Sequence, residues 1–177
     1  IGATKIIFPG VGDGAHAMGV LRERQLDGAM RTAMEAHVPI LGICVGCQIV
    51  FDRTEERDVA CLGLISGVAR RFLSGSDLKV PHIGWNQVRP TDGHWLFAGM
   101  PQETSFFFVH SYYPSPDDGR GVIAWTEYGI EFAAAVVRDS LVAVQFHPEK
   151  SGEAGLRLLR NFLTRAARMD RVTGDGG

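Results

Sequence analysis

Cysteine is scarce in this chain. Cys44, Cys47 and Cys61 are the three among 177 residues, too few and too odd in number for a disulfide framework, which fits a reducing compartment. Long apolar runs are missing too. The longest candidate, Val38 to Phe51, is broken by Pro39, two glycines and Gln48, short of the ~18 continuous apolar residues of a membrane-crossing helix. Neither sign of charge prevails: 18 basic residues against 20 acidic ones leave a formal charge of −2, which argues against nucleic acid or an anionic membrane as partner. The N-terminus has no basic region followed by an apolar core and a cleavage site. No internal repeat or low-complexity block is evident. The expectation is a soluble, cytoplasmic protein whose 45% hydrophobic content suffices for one core and is short for two. Glycine, by contrast, is abundant at 22 residues, well above the ~7% average, so tight turns and close backbone approaches are expected.

The chain opens on Lys5-Ile6-Ile7-Phe8, an apolar run bounded by Pro9-Gly10 that predicts a strand buried on both faces. After a glycine-rich loop through Gly14, apolar residues at Met18, Leu21, Leu26, Ala29, Met30 and Ala33 predict one or two helices with a break around Gly28. Pro39 to Ile43 reads as a second buried strand, and Val45 to Phe51 as helix straight after it. Beyond the charged segment Arg53 to Asp58, short runs predict strands over Val68 to Phe72, Gly84 to Val88, Phe106 to Tyr112, Val122 to Trp125, Phe132 to Val137 and Leu141 to Phe146. Ala154, Leu158, Leu159, Phe162 and Leu163 share one face of a final helix. One domain over 1–168 with a disordered tail over 169–177 is expected. This order gives an α/β fold with a predominantly parallel sheet and added antiparallel strands.

The strongest local signal is Gly42-Ile43-Cys44-Val45-Gly46, the G-x-nucleophile-x-G form of a nucleophile elbow at a strand-to-helix turn. Its glycines permit the tight turn that lifts a sulfur out of the sheet edge, and the helix start that follows favours thiolate and places the Val45 N–H for an oxyanion. A lone buried cysteine is otherwise a packing residue. Cys44 and Cys47 also form C-x-x-C, a redox signature. A dithiol does not need the elbow glycines, and a metal lacks a second close ligand pair, so Cys47 reads as packing.

A thiol nucleophile needs a base and a group to orient it. Gln145-Phe146-His147-Pro148-Glu149-Lys150 follows the last strand, and residues two apart in extended chain project to one side, so His147 and Glu149 can sit together. Cys44, His147 and Glu149 then make a candidate triad. Taken singly, His147 also reads as a strand-end surface histidine and Glu149 as a helix-start carboxylate.

Together these segments, with Gln48 after the elbow, resemble the class I, triad-type glutamine amidotransferases. Pro9-Gly10-Val11-Gly12, Pro81-His82-Ile83-Gly84-Trp85-Asn86 and Phe108-Val109-His110-Ser111-Tyr112-Tyr113 are similar, within that class, to the glutaminase subunits of imidazole glycerol phosphate synthase. The resemblance implies a three-layer, flavodoxin-like fold and a heterodimer with a (β/α)8 cyclase that makes imidazole glycerol phosphate and AICAR in histidine biosynthesis. It implies hydrolysis of L-glutamine to glutamate and ammonia with no cofactor and no metal. Position by position, Cys44 is the nucleophile, His147 the base and acid, and Glu149 its orienter. The Val45 N–H and the Val11-Gly12 segment form the oxyanion hole. Gly10, Gly12, Gln48, His110, Ser111 and Tyr112 bind substrate, and Trp85, Asn86 and Lys150 face the cyclase.

Two departures are visible. Cys47 stands where the family commonly has Met, a tolerable apolar exchange. The family also begins with a strand and helix ahead of the segment that opens this chain, so a β–α portion of about 30 residues is expected to be missing. Another class I amidotransferase, a C-x-x-C oxidoreductase and an inactive partner-binding remnant remain open alternatives.

Overall fold

The computed structural model describes residues 2–73, 78–91 and 93–172, with the backbone alone for 166–172. Its first strand, β1 (Ile6–Gly10), leads into helices α1 (Gly14–Glu23) and α2 (Leu26–Glu35). The break between them falls at Arg24 and Gln25, with Gln25 left-handed at φ 56°, not at Gly28, which lies inside α2. The Asp13 side chain caps α1 by accepting from the His16 N–H at 2.9 Å. Strand β2 (Ile40–Cys44) is buried at every residue and runs straight into α3 (Val45–Gln48), a single turn where seven residues of helix were expected.

Two-residue strands β3 (Arg53–Thr54) and β4 (Val59–Ala60) follow, too short to announce themselves in sequence. Next come β5 (Gly67–Arg71), β6 (His82–Pro90), β7 (Thr104–His110), β8 (Tyr112–Pro116), β9 (Val122–Tyr128), β10 (Ile130–Arg138) and β11 (Leu141–Val144). The single strand expected over Phe106 to Tyr112 is two, parting at Ser111 to enter different sheets. Helix α4 (Gly152–Val172) closes the described chain. The tail expected from 169 is therefore helical as far as Val172, and 173–177 lie outside the described residues.

A seven-stranded sheet has the order β1-β2-β11-β10-β9-β6-β7, and a four-stranded one the order β4-β3-β5-β8. In the larger sheet only β1-β2 and β2-β11 pair in parallel; the other four neighbours are antiparallel. The expectation of a predominantly parallel sheet is corrected accordingly. Short connections such as Gly129 between β9 and β10 leave no room for the crossover a parallel pair requires. Strand β1 is also not buried on both faces: among the described residues it pairs only with β2, and Ile7 is 45% exposed. The core is aromatic, with Phe51, Phe72, Phe106, Phe108, Phe132, Phe146 and Phe162 fully buried, each contributing roughly 1.5–3 kcal/mol. Leu158 and Phe162 fasten α4 to that core, while Leu163, expected on the same face, is half-exposed.

The tightest packing lies where β1, β2 and α3 meet. A Cβ on Gly46 would stand 2.1 Å from the Phe8 carbonyl oxygen, and one on Gly42 would stand 2.9 Å from the Gly46 oxygen. Neither neighbour is a flexible side-chain end, so nothing can yield cheaply. Gly46→Ala should cost at least about 3 kcal/mol, read as a collapse in soluble yield or a large fall in denaturation midpoint; a near-native midpoint would show that α3 can move away from β1.

Candidate active site

Cys44 ends β2 and caps α3 with φ 54° and ψ −109°, a conformation that costs a non-glycine residue of order 1–3 kcal/mol. The parallel neighbours β1 and β11, together with the glycine contacts, hold it there. Its sulfur opens onto a cavity of about 380 Å³ whose wall also includes Val11, Gly12, Gln48, His110 and His147. Burial pushes the Cys44 thiol up to about 11, outweighing the lowering by the Val45 N–H; Glu149 raises it further and Lys150 lowers it. The expected preference of the elbow for thiolate is thus reversed in the resting protein. A single helical turn supplies little dipole against the desolvation of a charged sulfur. The thiol donates instead toward the Val109 carbonyl, at 3.9 Å.

His147 leaves β11 after two connecting residues and is 1% exposed. Its Nδ1 lies 2.6 Å from Glu149 Oε1. An ionised carboxylate only accepts, so Nδ1 carries a hydrogen, and in the neutral ring Nε2 is the acceptor. Among the described residues that buried Nε2 has no hydrogen-bond partner, and an orphaned buried acceptor is costly unless something is to be put against it. Ser151, next in the chain after Lys150, fixes the backbone here. Its hydroxyl donates to the His147 carbonyl at 2.6 Å and accepts from the Phe107 N–H at 3.0 Å, while the His147 N–H donates to the Phe107 carbonyl at 2.9 Å. Gly155 seats α4 beneath this turn, where a Cβ would come within 1.8 Å of the Pro148 oxygen.

Of the other expected site residues, Val11, Gly12, Val45, Gln48, His110, Ser111, Tyr112 and Lys150 all line the cavity. Gly10 does not: it packs under Val45, where a Cβ would stand 2.9 Å from the Val45 Cβ. Gln48 Nε2 donates to the Tyr112 carbonyl at 2.9 Å and to Gln145 Oε1 at 3.1 Å. Both its hydrogens are used within the protein, and its oxygen is what it can offer a ligand. Trp85 is 59% exposed on β6, with Phe107 edge-on at 6.1 Å, and Lys150 lies over the Phe107 ring at 5.9 Å. The Asn86 amide is engaged internally, by His82 and the Glu127 carbonyl.

Glu56 is a cavity residue that its charged segment conceals in the sequence. It accepts from the Gly14 N–H at 2.5 Å, a contact across 42 positions of chain that no local pattern announces. Cys47 is fully buried, and burial pushes its thiol up, the setting of a packing residue. Among the described residues no group of three or more His, Cys, Asp or Glu could hold a metal ion, and no helix is long and apolar enough to cross a membrane.

The family model for class I glutamine amidotransferases matches residues 3–166. The chain belongs to that family. It is 48% identical over 174 residues to a Herpetosiphon aurantiacus protein named imidazole glycerol phosphate synthase subunit HisH, covering 98% of this chain and 81% of that one. A Dehalococcoides mccartyi protein of the same name is 44% identical over 167 residues, 94% of this chain and 80% of the relative. Among solved structures, one described as a glutamine amidotransferase superposes with a TM-score of 0.69 at 20% identity, covering 94% of this chain and 80% of that one. The structure of PurLQS from Thermotoga maritima gives 0.66 at 17% identity, over 90% and 79% of the two chains. These two structures bear on the fold alone, and the amidotransferase fold is what they share with this chain.

Desolvation lowers His110, on the cavity wall, to about 3 and His82, behind it, to about 4, with the Tyr112 carbonyl opposing the fall at His110. Both lie below the ordinary value near 6.5 of an unfolded histidine, so above that pH they are neutral in both states and cost nothing. Below it the unfolded chain binds protons that the native one refuses, and stability falls with acidification. The denaturation midpoint should drop between about pH 6.5 and pH 4, and His82→Phe should flatten that slope; thermal melts across the range check it.

Proposed function

We infer that this chain is the glutaminase subunit of an imidazole glycerol phosphate synthase. It hydrolyses L-glutamine to glutamate and ammonia, and the ammonia goes to a cyclase subunit in histidine biosynthesis. The observation that carries the reading is the 44–48% identity, over most of the chain, to proteins of that name. The cavity supports it, because Cys44 and His147 both line its wall and Glu149 is hydrogen-bonded to His147 Nδ1. A reducing, cytoplasmic setting suits three free cysteines.

In the mechanism we propose, the glutamine side-chain amide sits against Cys44. The thiol leaves the Val109 carbonyl and gives its proton to His147 Nε2 as the sulfur attacks the amide carbon, so that the high resting pKa is relieved only when an acceptor is in place. The oxyanion is held by the Val45 N–H and a second N–H from the Val11-Gly12 segment. The His147 imidazolium, stabilised by Glu149, protonates the amine, and ammonia leaves a glutamyl thioester on Cys44. His147 then takes a proton from water, which attacks the thioester; the tetrahedral intermediate collapses to glutamate, and the proton returns to the sulfur. Glu56, the one carboxylate on the cavity wall among the described residues, answers the α-ammonium of the substrate.

Purified with its cyclase, the protein should release glutamate from glutamine, and Cys44→Ser should lower kcat by at least about a thousandfold with substrate binding kept; retained turnover in that variant rules out the thioester route. Glu56→Gln should raise KM for glutamine by about tenfold or more, the loss of one charge-assisted contact, with a smaller change in kcat. Steady-state kinetics separate the two, and an unchanged KM removes Glu56 from substrate recognition.

A further inference from the structure

The cavity wall at Tyr112 is one end of a hydrogen-bond chain that begins on β6. Asn86 is pinned through both atoms of its amide: Oδ1 accepts from the Gln87 N–H at 2.8 Å, and Nδ2 donates to the Glu127 carbonyl at 2.9 Å. The remaining Nδ2 hydrogen can only be given, and at 3.3 Å it meets His82 Nε2. That nitrogen is therefore an acceptor. His82 Nδ1 stands 2.9 Å from His110 Nε2, and His110 Nδ1 stands 2.8 Å from the Tyr112 carbonyl oxygen, which can only accept. A fixed donor at one end and a fixed acceptor at the other leave one assignment: both rings neutral, both with their hydrogen on Nδ1. The carbonyl ends that run by accepting from both sides. Gln48 Nε2 donates to the Tyr112 oxygen and to Gln145 Oε1, and Gln145 Nε2 reaches Cys44 Sγ at 3.9 Å.

His82 itself is not on the cavity wall. It is 3% exposed, with ring centroids 3.9 Å from Tyr128 and 4.8 Å from Phe108, both stacked. A ring needed only for packing in that stack would be cheaper as phenylalanine, since each buried polar nitrogen must be satisfied. We propose that His82 is a positioning residue of this site: by donating to His110 Nε2 it holds the His110 ring in place, so that the His110 Nδ1–H anchors the Tyr112 carbonyl and, through it, the Gln48 and Gln145 amides that face substrate and sulfur. The role rests on the glutaminase reading above. Without the His82 donor, the Tyr112 carbonyl still keeps the hydrogen on His110 Nδ1, and His110 Nε2 becomes a buried acceptor that has lost its partner. The ring then has one anchor in place of two, and the wall that Gln48 leans on loosens.

The test reads the tautomers directly, by long-range proton–nitrogen spectra of the nitrogen-15-labelled full chain with its cyclase, beside glutamine kinetics on the same samples. The wild type should show His82 and His110 as Nδ1–H at neutral pH. His82→Phe keeps the ring stack and should leave His110 as Nδ1–H while shifting its Nε2 nitrogen signal through loss of the donor, with KM for glutamine rising about tenfold and kcat changing much less. His82→Asn, whose Nδ2 stands where Nδ1 stood, should return both the wild-type His110 Nε2 signal and most of the KM. An Nε2–H signal from either histidine in the wild type overturns the proposal, and that result needs no variant to fold. A wild-type KM in His82→Phe overturns it as well, as does an asparagine variant as impaired as the phenylalanine one. Tautomers as stated in a wild type that does not hydrolyse glutamine would sink the glutaminase reading while leaving the histidine chain in place.

Discussion

Everything at this site depends on the lack of clearance between β1, β2 and α3. Gly46 lies against the Phe8 carbonyl and Gly42 against Gly46, so the chain can leave β2 only through the φ 54° turn at Cys44. Strain of that kind persists only where its surroundings over-determine it. Here they do: β2 is central and fully buried, hydrogen-bonded in parallel to β1 on one side and β11 on the other. The same β11 delivers His147, so nucleophile and base descend from adjacent strands, and their separation is set by sheet spacing more than by loop conformation.

The second organising feature is the placement of polar groups inside an aromatic core. Phe72, Phe108 and Phe132 crowd His82 and His110, and each ring nitrogen of that pair has its own partner. A half-satisfied network in such surroundings is worse than an apolar one, so its completeness ties β6, β7 and β8 to one geometry. His147 Nε2 is the exception, buried and unpartnered in the same neighbourhood. Strain at Cys44 and an open acceptor at His147 coincide at one cavity, where consistency between local preference and global fold is expected to give way to chemistry.

Much of this was legible in the chain itself. The elbow glycines, the spacing of His147 and Glu149 and the buried run of β2 are local signals, each tied to a backbone requirement that only a few residue types meet. What stayed hidden depends on long-range pairing. The antiparallel majority of the sheet follows from which strands become neighbours, and runs such as Phe132 to Val137 say only that they are buried. The parting at Ser111 has no turn residue to mark it, because β7 and β8 simply join different sheets. Glu56 reaches the cavity through a contact 42 residues away, and the state of the elbow's thiol is hidden because composition does not report how deeply a sulfur will be covered.

That covered sulfur has a consequence for the life of the protein between turnovers. With burial pushing its thiol up to about 11, the resting sulfur is held as thiol at neutral pH. Peroxides and other soft electrophiles react with thiolate and hardly with thiol. A nucleophile poised for acyl transfer is thereby stored in a form that resists sulfenic acid formation, and it becomes vulnerable only in the moments when a substrate has drawn its proton away.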